Sequence, residues 1–432
     1  MSSTEHWENW GHTYEADPTV VVPATVAELQ ALVTDAAASG RKVKPIGAGH
    51  SFSGIGVPTD IQVRLSQLRG VVSADAAAGT VTLAAGTHLH EIPGLLSPLG
   101  LAMANLGDVD RQTVAGATST GTHGTGAAFG GISTQIAGVT LVNGRGEQVH
   151  ITADDPDLAA AALGLGALGV LTDITLRCVP AFHLEAVEAP GRFDEVLAGW
   201  DETIASIDHY EFYWFPHTDC CLTKTNTRLP ATTPVSGPSS VRRYIDDELL
   251  SNKLFGLMCA IGRRVPAAVP TINQLSGRAL SARTIVDSST NIFISSREVR
   301  FREMEYAIPV EAVPDALREV RAMIDKRRYR VSFPIEVRAA GADDRAFGRT
   351  PDERVQLALG LQGRLGRYGL ASVAGNAKHI GDVRGLGTDA DRLVDLAALA
   401  RPALVDGEAE VGPPGQELLV LGAARVACVD PD

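Results

Sequence analysis

The sequence predicts an α+β protein of two domains, or of one domain with a large insertion. Three observations lead there. At 432 residues the chain exceeds the size at which a single core usually stops growing. Its first half sets one capped helical segment among short strands of alternating polarity, and its second half mixes helical patches with an aromatic strand. Composition narrows the class further: 45% hydrophobic and 21% charged residues suit a soluble globular protein. A net charge of −13, with no block rich in Lys and Arg, argues against a nucleic-acid partner, because neutralising phosphates needs a basic face.

Targeting and cysteine signals are sparse. Met1 to Trp7 lacks a basic segment followed by an apolar core, and no uncharged apolar run approaches the roughly 20 residues needed to span a bilayer, so a cytoplasmic protein is expected. The five cysteines (Cys178, Cys220, Cys221, Cys259 and Cys428) are odd in number and lack zinc-site spacing. Ordinary, mostly buried thiols are expected, with no disulfide and no structural metal.

The elements follow in order. Thr25-Val-Ala-Glu28 has the form of a helix capping box, and Val26, Leu29, Leu32 and Val33 recur at helical spacing until Ser39-Gly40 ends the helix. Arg41 to Ile46 reads as a strand; Ile61 to Leu65 alternates as a half-buried strand should, and Thr80 to Ala85 follows the same rule. Between the first two lies Ile46-Gly-Ala-Gly-His50-Ser51, a glycine-rich turn that ends on an imidazole. Such a turn can press backbone N–H groups against a phosphate, and it also fits a surface β-turn with a solvated histidine. Because a strand, not a helix, comes next, the usual NAD-binding βαβ unit is disfavoured.

Asn105 to Gly126 is a loop dense in Gly, Thr and Ser around His123, a composition suited to close backbone approach to a ligand rich in acceptors. Gly138 to Gly144 looks strand-like. Leu165 to Pro180 begins as a small-residue turn and ends as a strand closed by Pro180, which marks a domain boundary. Beyond it come helical patches from Phe193 to Ile207, the aromatic strand His209 to Phe215, a Pro/Ser/Thr-rich loop from Leu229 to Ser240, a strand from Glu298 to Tyr306, a helix from Val313 to Ile324, and a strand from Val331 to Arg338. In an extended strand Glu336 and Arg338 point to one face, so both can reach one pocket or form an ion pair on a solvated face. His88 and His90 lie two apart without a third metal ligand at suitable spacing, so no metal site is expected.

Four separated segments, in this order, resemble the L-gulono- and D-arabinono-1,4-lactone oxidases of the vanillyl-alcohol-oxidase group. They are the His50 turn, the Gly107-Asp108 to Gly126 loop, the Leu168-Gly-Val-Leu-Thr turn with its strand, and Phe333-Pro-Ile-Glu-Val-Arg338. The likeness covers about residues 7–345 and extends to Trp214-Phe-Pro-His217 and Glu303 to Pro309. It implies a two-domain FAD-binding fold of the vanillyl-alcohol-oxidase type with a sheet-based substrate or cap domain. Residues 1–180 would bind FAD, 181–345 would form the cap, and 346–432 would return to the FAD domain.

By the same resemblance, Pro45, Ile46, Gly47, Ala48, Gly49, His50 and Ser51 would hold the cofactor, with His50 bonded covalently to the flavin ring. Thr113, Ala117, Thr118, Gly121, Thr122, His123, Gly124 and Thr125 would continue the cradle, and Val170 would offer backbone contacts near the adenine. Glu336 and Arg338 become the catalytic candidates. Oxidising a secondary alcohol moves a hydride to flavin N5 and leaves negative charge near N1 and C2=O that a guanidinium stabilises, while a carboxylate accepts the hydroxyl proton or fixes substrate hydroxyls. The implied partners are a sugar lactone or polyol and O2 or another electron acceptor; membrane association would be at most peripheral. An alditol oxidase or a lactone dehydrogenase of the same fold is the near alternative.

The tail departs from this pattern. Family members carry a C-terminal His-Trp-Gly/Ala-Lys-x-His segment whose lysine joins the Glu/Arg pair, whereas here no tryptophan follows Trp214. After Asp343-Asp344 the likeness dissolves, and Asn376-Ala-Lys378-His379 is the nearest remnant. A flavin-binding but catalytically impaired protein is therefore a further alternative.

Overall fold

The structure is a computed structural model. It describes residues 3–238, 253–295 and 299–343, and the backbone of the strands Val355–Gln362 and Ala427–Val429. Asp344 and the Asn376 to His379 segment lie outside the described residues.

After three two-residue strands (Ser3–Thr4, Trp7–Glu8 and Glu15–Ala16), the N-terminal part forms β1 (Thr19–Val21), α1 (Val26–Ala38), β2 (Val43–Pro45) and β3 (Ile61–Val63). The Thr25 hydroxyl accepts from the Glu28 N–H at 3.2 Å and the Glu28 carboxylate accepts from the Ala24 N–H at 2.8 Å, so the helix start has the reciprocal caps its sequence announced. Leu29, Val33 and Ala36 turn inward. β3 pairs in parallel with β1 on one side and β2 on the other. This position corrects one expectation: Ile61, Gln62 and Val63 are all buried, because a strand central to a parallel sheet is covered on both faces and its alternation loses meaning.

A second, antiparallel sheet follows, from β4 (Val71–Asp75), β5 (Thr80–Ala84), β6 (Leu101–Met103), β7 (Ile136–Val142), β8 (Gln148–Ile151) and β9 (Val170–Pro180). Its order is β8–β7–β9–β5–β4, with β6 on the far end of β9. One hydrophobic core joins α1 to both sheets through Leu29, Val63, Leu83, Ile136 and Ile174. The segment read as loop from Asn105 to Gly126 contains a short helix, α2 (Val114–Ser119). The Thr113 hydroxyl caps it by accepting from the Gly116 N–H at 3.2 Å, and Val114 and Ala117 anchor it in the core.

β10 (Phe182–Arg192) starts two residues after β9 ends and opens the second part. There follow α3 (Phe193–Ala198), α4 (Trp200–Ser206), β11 (His209–Trp214), β12 (Cys220–Pro230), α5 (Phe255–Arg264), α6 (Val269–Ala279), β13 (Arg283–Ser288), β14 (Arg302–Ile308), α7 (Val313–Arg327), β15 (Ile335–Ala339), β16 (Val355–Gln362) and β17 (Ala427–Val429). Its sheet runs β13–β10–β12–β11–β15–β16–β14, and β17 pairs in parallel with β16.

Strand alternation divides the two faces of this sheet. Tyr210, Phe212, Trp214, Ile335 and Val337 pack under α3, α4 and α7 against Phe193, Trp200, Leu317 and Val320. The intervening Glu211, Tyr213, Glu336 and Arg338 face the other way, toward the N-terminal part. There the seam is closed by a bridge between Gly126 and Ala340 and by Arg228, whose guanidinium lies 4.4 Å from the Phe129 ring and 4.3 Å from that of Phe182. No helix among the described residues is long and apolar enough to cross a membrane.

Candidate active site

Pairing ends and the glycine turn begins at Ile46, whose N–H donates to the Val63 carbonyl at 3.0 Å. Gly49 sits at φ +69°, a left-handed conformation that glycine adopts without strain. At Gly47 the constraint is space: a Cβ there would lie 2.3 Å from Thr113 Oγ1, the atom that caps α2. The turn thus delivers bare backbone to a cleft. His50 stands at its end, its ring stacked on Trp10 at 5.4 Å, while Trp10 meets Phe301 edge-on at 5.3 Å. Burial, with Arg111 adding to it and Asp110 opposing, lowers the His50 pKa to about 4, so the imidazole is neutral at pH 7 and keeps a lone pair.

Pro45, Ile46, Gly47, Ala48, Gly49, His50, Ser51 and Thr113 all line this cleft. Val170 is buried between Gly169 and Leu171, which line it too. Ala117 and Thr118 turn away into the core, where the Thr118 hydroxyl donates to the Val114 carbonyl at 2.9 Å. Gly121, at φ +73°, follows the end of α2, and the next four residues run beneath the cap sheet. Thr122 hydrogen-bonds Gln112 at 3.1 Å, the Gly124 Cα lies so close to Leu106 that a Cβ would meet its carbonyl at 2.1 Å, and the Thr125 carbonyl accepts from His209 Nδ1 at 2.7 Å. His123 Nε2 lies 2.6 Å from Glu305 Oε1 on β14 and its Nδ1 lies 2.7 Å from the Gly124 carbonyl, so this ring binds the loop to the cap.

Sequence reasoning passed over Lys44, Arg64, Ser66, Gln112 and Ser119, which also line the cleft. Lys44 lies within β2, which runs into the turn, and Arg64 directly follows β3, the strand paired beside it. The donor set fits FAD. Two cations and a glycine turn without room for a Cβ suit a pyrophosphate in close backbone contact, and the neutral His50 stands where it can meet the ring.

The second group lies on the cap sheet. β11 and β15 pair so that Glu211 opposes Arg338 and Tyr213 opposes Glu336. Arg338 Nε donates to Glu336 Oε1 at 2.5 Å and lies 3.4 Å from Glu211 Oε2, and Arg338 Nη2 lies 3.4 Å from Asp108 Oδ1. The Tyr213 hydroxyl donates to Glu336 Oε1 at 2.9 Å. Burial works against the Arg338 charge, but Glu336, Asp108 and Glu211 outweigh it and hold its pKa well above the usual guanidinium value. Of these, Asp108, Glu211 and Tyr213 were not picked out as site residues; only the cross-strand register sets Glu211 and Tyr213 beside Arg338 and Glu336.

A single loop links the two groups. Asp108 touches Arg338, Asp110 and Arg111 act on His50, and Gln112 and Thr113 line the cleft. His88 and His90 pin its middle, each with Nδ1 near a carbonyl of Arg111 or Asp110, at 2.8 and 3.3 Å.

Residues 18–152 match the FAD binding domain family, and residues 174–363 match the D-arabinono-1,4-lactone oxidase family. The chain is 36% identical over 351 residues to an L-gulono-1,4-lactone dehydrogenase of Mycobacterium tuberculosis, covering 79% of this chain and 80% of that protein. It is 32% identical to an L-gulonolactone oxidase of Scyliorhinus torazame, covering 78% and 77% of the two chains. A D-arabinono-1,4-lactone oxidase of Yarrowia lipolytica is 30% identical, with 77% and 66% covered. Among solved structures, a cholesterol oxidase from Brevibacterium sterolicum superposes with a TM-score of 0.67 at 20% identity, over 84% of this chain and 80% of that one, which supports the fold alone.

Proposed function

Because this chain belongs to the family of L-gulono- and D-arabinono-1,4-lactone oxidases and dehydrogenases, we propose that it oxidises a CH–OH group of a sugar 1,4-lactone with FAD as its cofactor. The observation that carries this reading is the loop from Asp108 to Thr113, which joins a glycine-lined FAD cleft to a buried Glu336/Arg338 pair. FAD, when bound, accepts the hydride from the substrate carbon. Glu336, with Tyr213 donating to its Oε1, accepts the substrate hydroxyl proton, and Arg338 supplies a permanent positive charge against the negative charge that develops. Asp108 and Glu211 hold that guanidinium from two further sides.

The neutral His50 is read as the covalent anchor of the flavin, with Pro45 to Ser51 and Thr113 around the pyrophosphate. Residues 1–180 are taken as the FAD-binding domain and 181–345 as the cap, to whose sheet Val355–Gln362 also contributes. O2 or another acceptor would serve as the oxidant once FAD is bound, and we read the protein as cytoplasmic, with membrane contact at most peripheral. The test uses the purified full chain. Flavin that stays in the acid-precipitated pellet, and is absent from the His50→Ala pellet, is the expected outcome. Anaerobic bleaching by L-gulono-1,4-lactone or D-arabinono-1,4-lactone should follow, with turnover in air against turnover with a dye separating oxidase from dehydrogenase. A yellow protein that no lactone bleaches would contradict the catalytic reading.

A further inference from the structure

One register line across the cap sheet carries five charged residues of alternating sign. Arg283 on β13 opposes Glu188 on β10, Glu188 opposes Lys224 on β12, Lys224 opposes Glu211 on β11, and Glu211 opposes Arg338 on β15. At the outer end Arg283 grips both Glu188 oxygens, at 2.6 and 2.8 Å. Inside, Lys224 Nζ lies 3.3 Å from Glu211 Oε1 while Glu211 Oε2 lies 3.4 Å from Arg338 Nε. Side-chain exposure is 35% at Arg283, 15% and 16% at Glu188 and Lys224, and 7% and 11% at Glu211 and Arg338.

Stability alone is a poor account of this line. Desolvating Glu211 and Lys224 costs about as much as their attraction returns, and apolar side chains of similar volume would pack there at no loss. A fixed geometry is what the line supplies. A guanidinium must present one edge to its target, and its Nε edge is set by the carboxylates it meets.

We propose that Glu211 and Lys224 are positioning residues for Arg338: Lys224 fixes the Glu211 carboxylate, and Glu211 sets the orientation in which Arg338 meets the flavin. The inference rests on the reading of Arg338 as a flavin-facing cation. Neither residue need touch substrate or transfer a proton.

The test reads the flavin directly as well as turnover. Sulfite adds reversibly to flavin N5, and positive charge near the ring favours the adduct, so sulfite affinity of the FAD-loaded full chain reports the placement of Arg338. Glu211→Gln and Lys224→Met should each weaken sulfite binding and slow anaerobic flavin reduction on the order of 10-fold, the effect of losing one charge-assisted hydrogen bond; for Glu211→Gln this runs against the direction that loss of its negative charge alone would give, so tighter sulfite binding in that variant would also overturn the inference. KM should move less than kcat, and Lys224→Arg, which keeps the charge, should recover both readouts. Melting temperature is followed alongside, because removing one partner of a buried ion pair lowers stability by itself, and the losses in sulfite affinity and reduction rate should exceed what the changes in melting temperature and flavin content account for. Wild-type sulfite affinity and reduction rate in both variants would overturn the inference. So would losses that merely track melting temperature and flavin content and persist in Lys224→Arg. If Arg338→Lys itself leaves sulfite affinity unchanged, the flavin-facing reading of Arg338 fails and takes the inference with it.

Discussion

At the scale of single residues, Gly47 and Thr113 share one small volume. The close approach of Thr113 Oγ1 leaves no space for a methyl on Gly47, and the same oxygen caps α2. Gly47→Ala is expected to push the turn away from the helix start and lower flavin occupancy, read as the ratio of flavin to protein absorbance. In a Thr113→Ala background the added methyl meets less resistance, so the two changes should combine to less than their sum. Full occupancy in Gly47→Ala alone would show that the cofactor does not need this close approach. Arg338→Lys is a second case. Lysine keeps a charge but loses the fork that meets Glu336, Asp108 and Glu211 together, so kcat should fall on the order of 100-fold, within the range seen when one preorganised donor to developing charge is removed. Stopped-flow flavin reduction checks it, and a rate within a few-fold of the parent would argue against a catalytic Arg338.

Individual elements reveal what the chain made legible and what it hid. α1 was readable because cap, periodicity and stop signal coincide at Thr25, Leu29/Val33 and Ser39-Gly40. β11 was readable as a strand because four of its six residues are aromatic. α2 was hidden: a six-residue helix of Val, Ala, Gly, Thr and Ser has too few large apolar groups for a periodic signal, and its cap Thr113 stands in a run of similar residues. The burial of β3 was hidden for another reason, since neighbours far along the chain cover its second face. The site was half legible. Glu336 and Arg338 stand two apart in one strand, but Asp108, Glu211 and Tyr213 join them only through cross-strand register and the seam between sheets. The α1 cap offers a plain check on element stability. Thr25→Ala should cost about 1 kcal/mol, visible as a lowered melting temperature with flavin content unchanged.

For the whole molecule the sensitive region is the seam where the cap meets the N-terminal part, and His209 marks it. Its Nδ1–H donates to the Thr125 carbonyl at 2.7 Å, its Nε2 accepts from Arg228 Nε at 3.3 Å, and its ring stacks on Phe129 at 4.7 Å. Both nitrogens are committed in the neutral form, so a second proton has no place. Burial lowers the pKa to about 4, the Arg228 charge adds to it, and the Thr125 bond opposes it. A histidine whose pKa is lower in the folded than in the unfolded chain takes up a proton on unfolding. Its contribution is therefore fully present above the unfolded value of 6.5 and is lost as pH falls toward 4. The loss amounts to up to about 3 kcal/mol at the acid end of that window. His209→Gln, which cannot titrate, should be less stable than the parent at pH 7.5, and the gap should close as pH approaches 4.5. Melting temperatures of both proteins across that range decide the matter. A gap that stays constant with pH would mean that His209 holds the seam by packing alone.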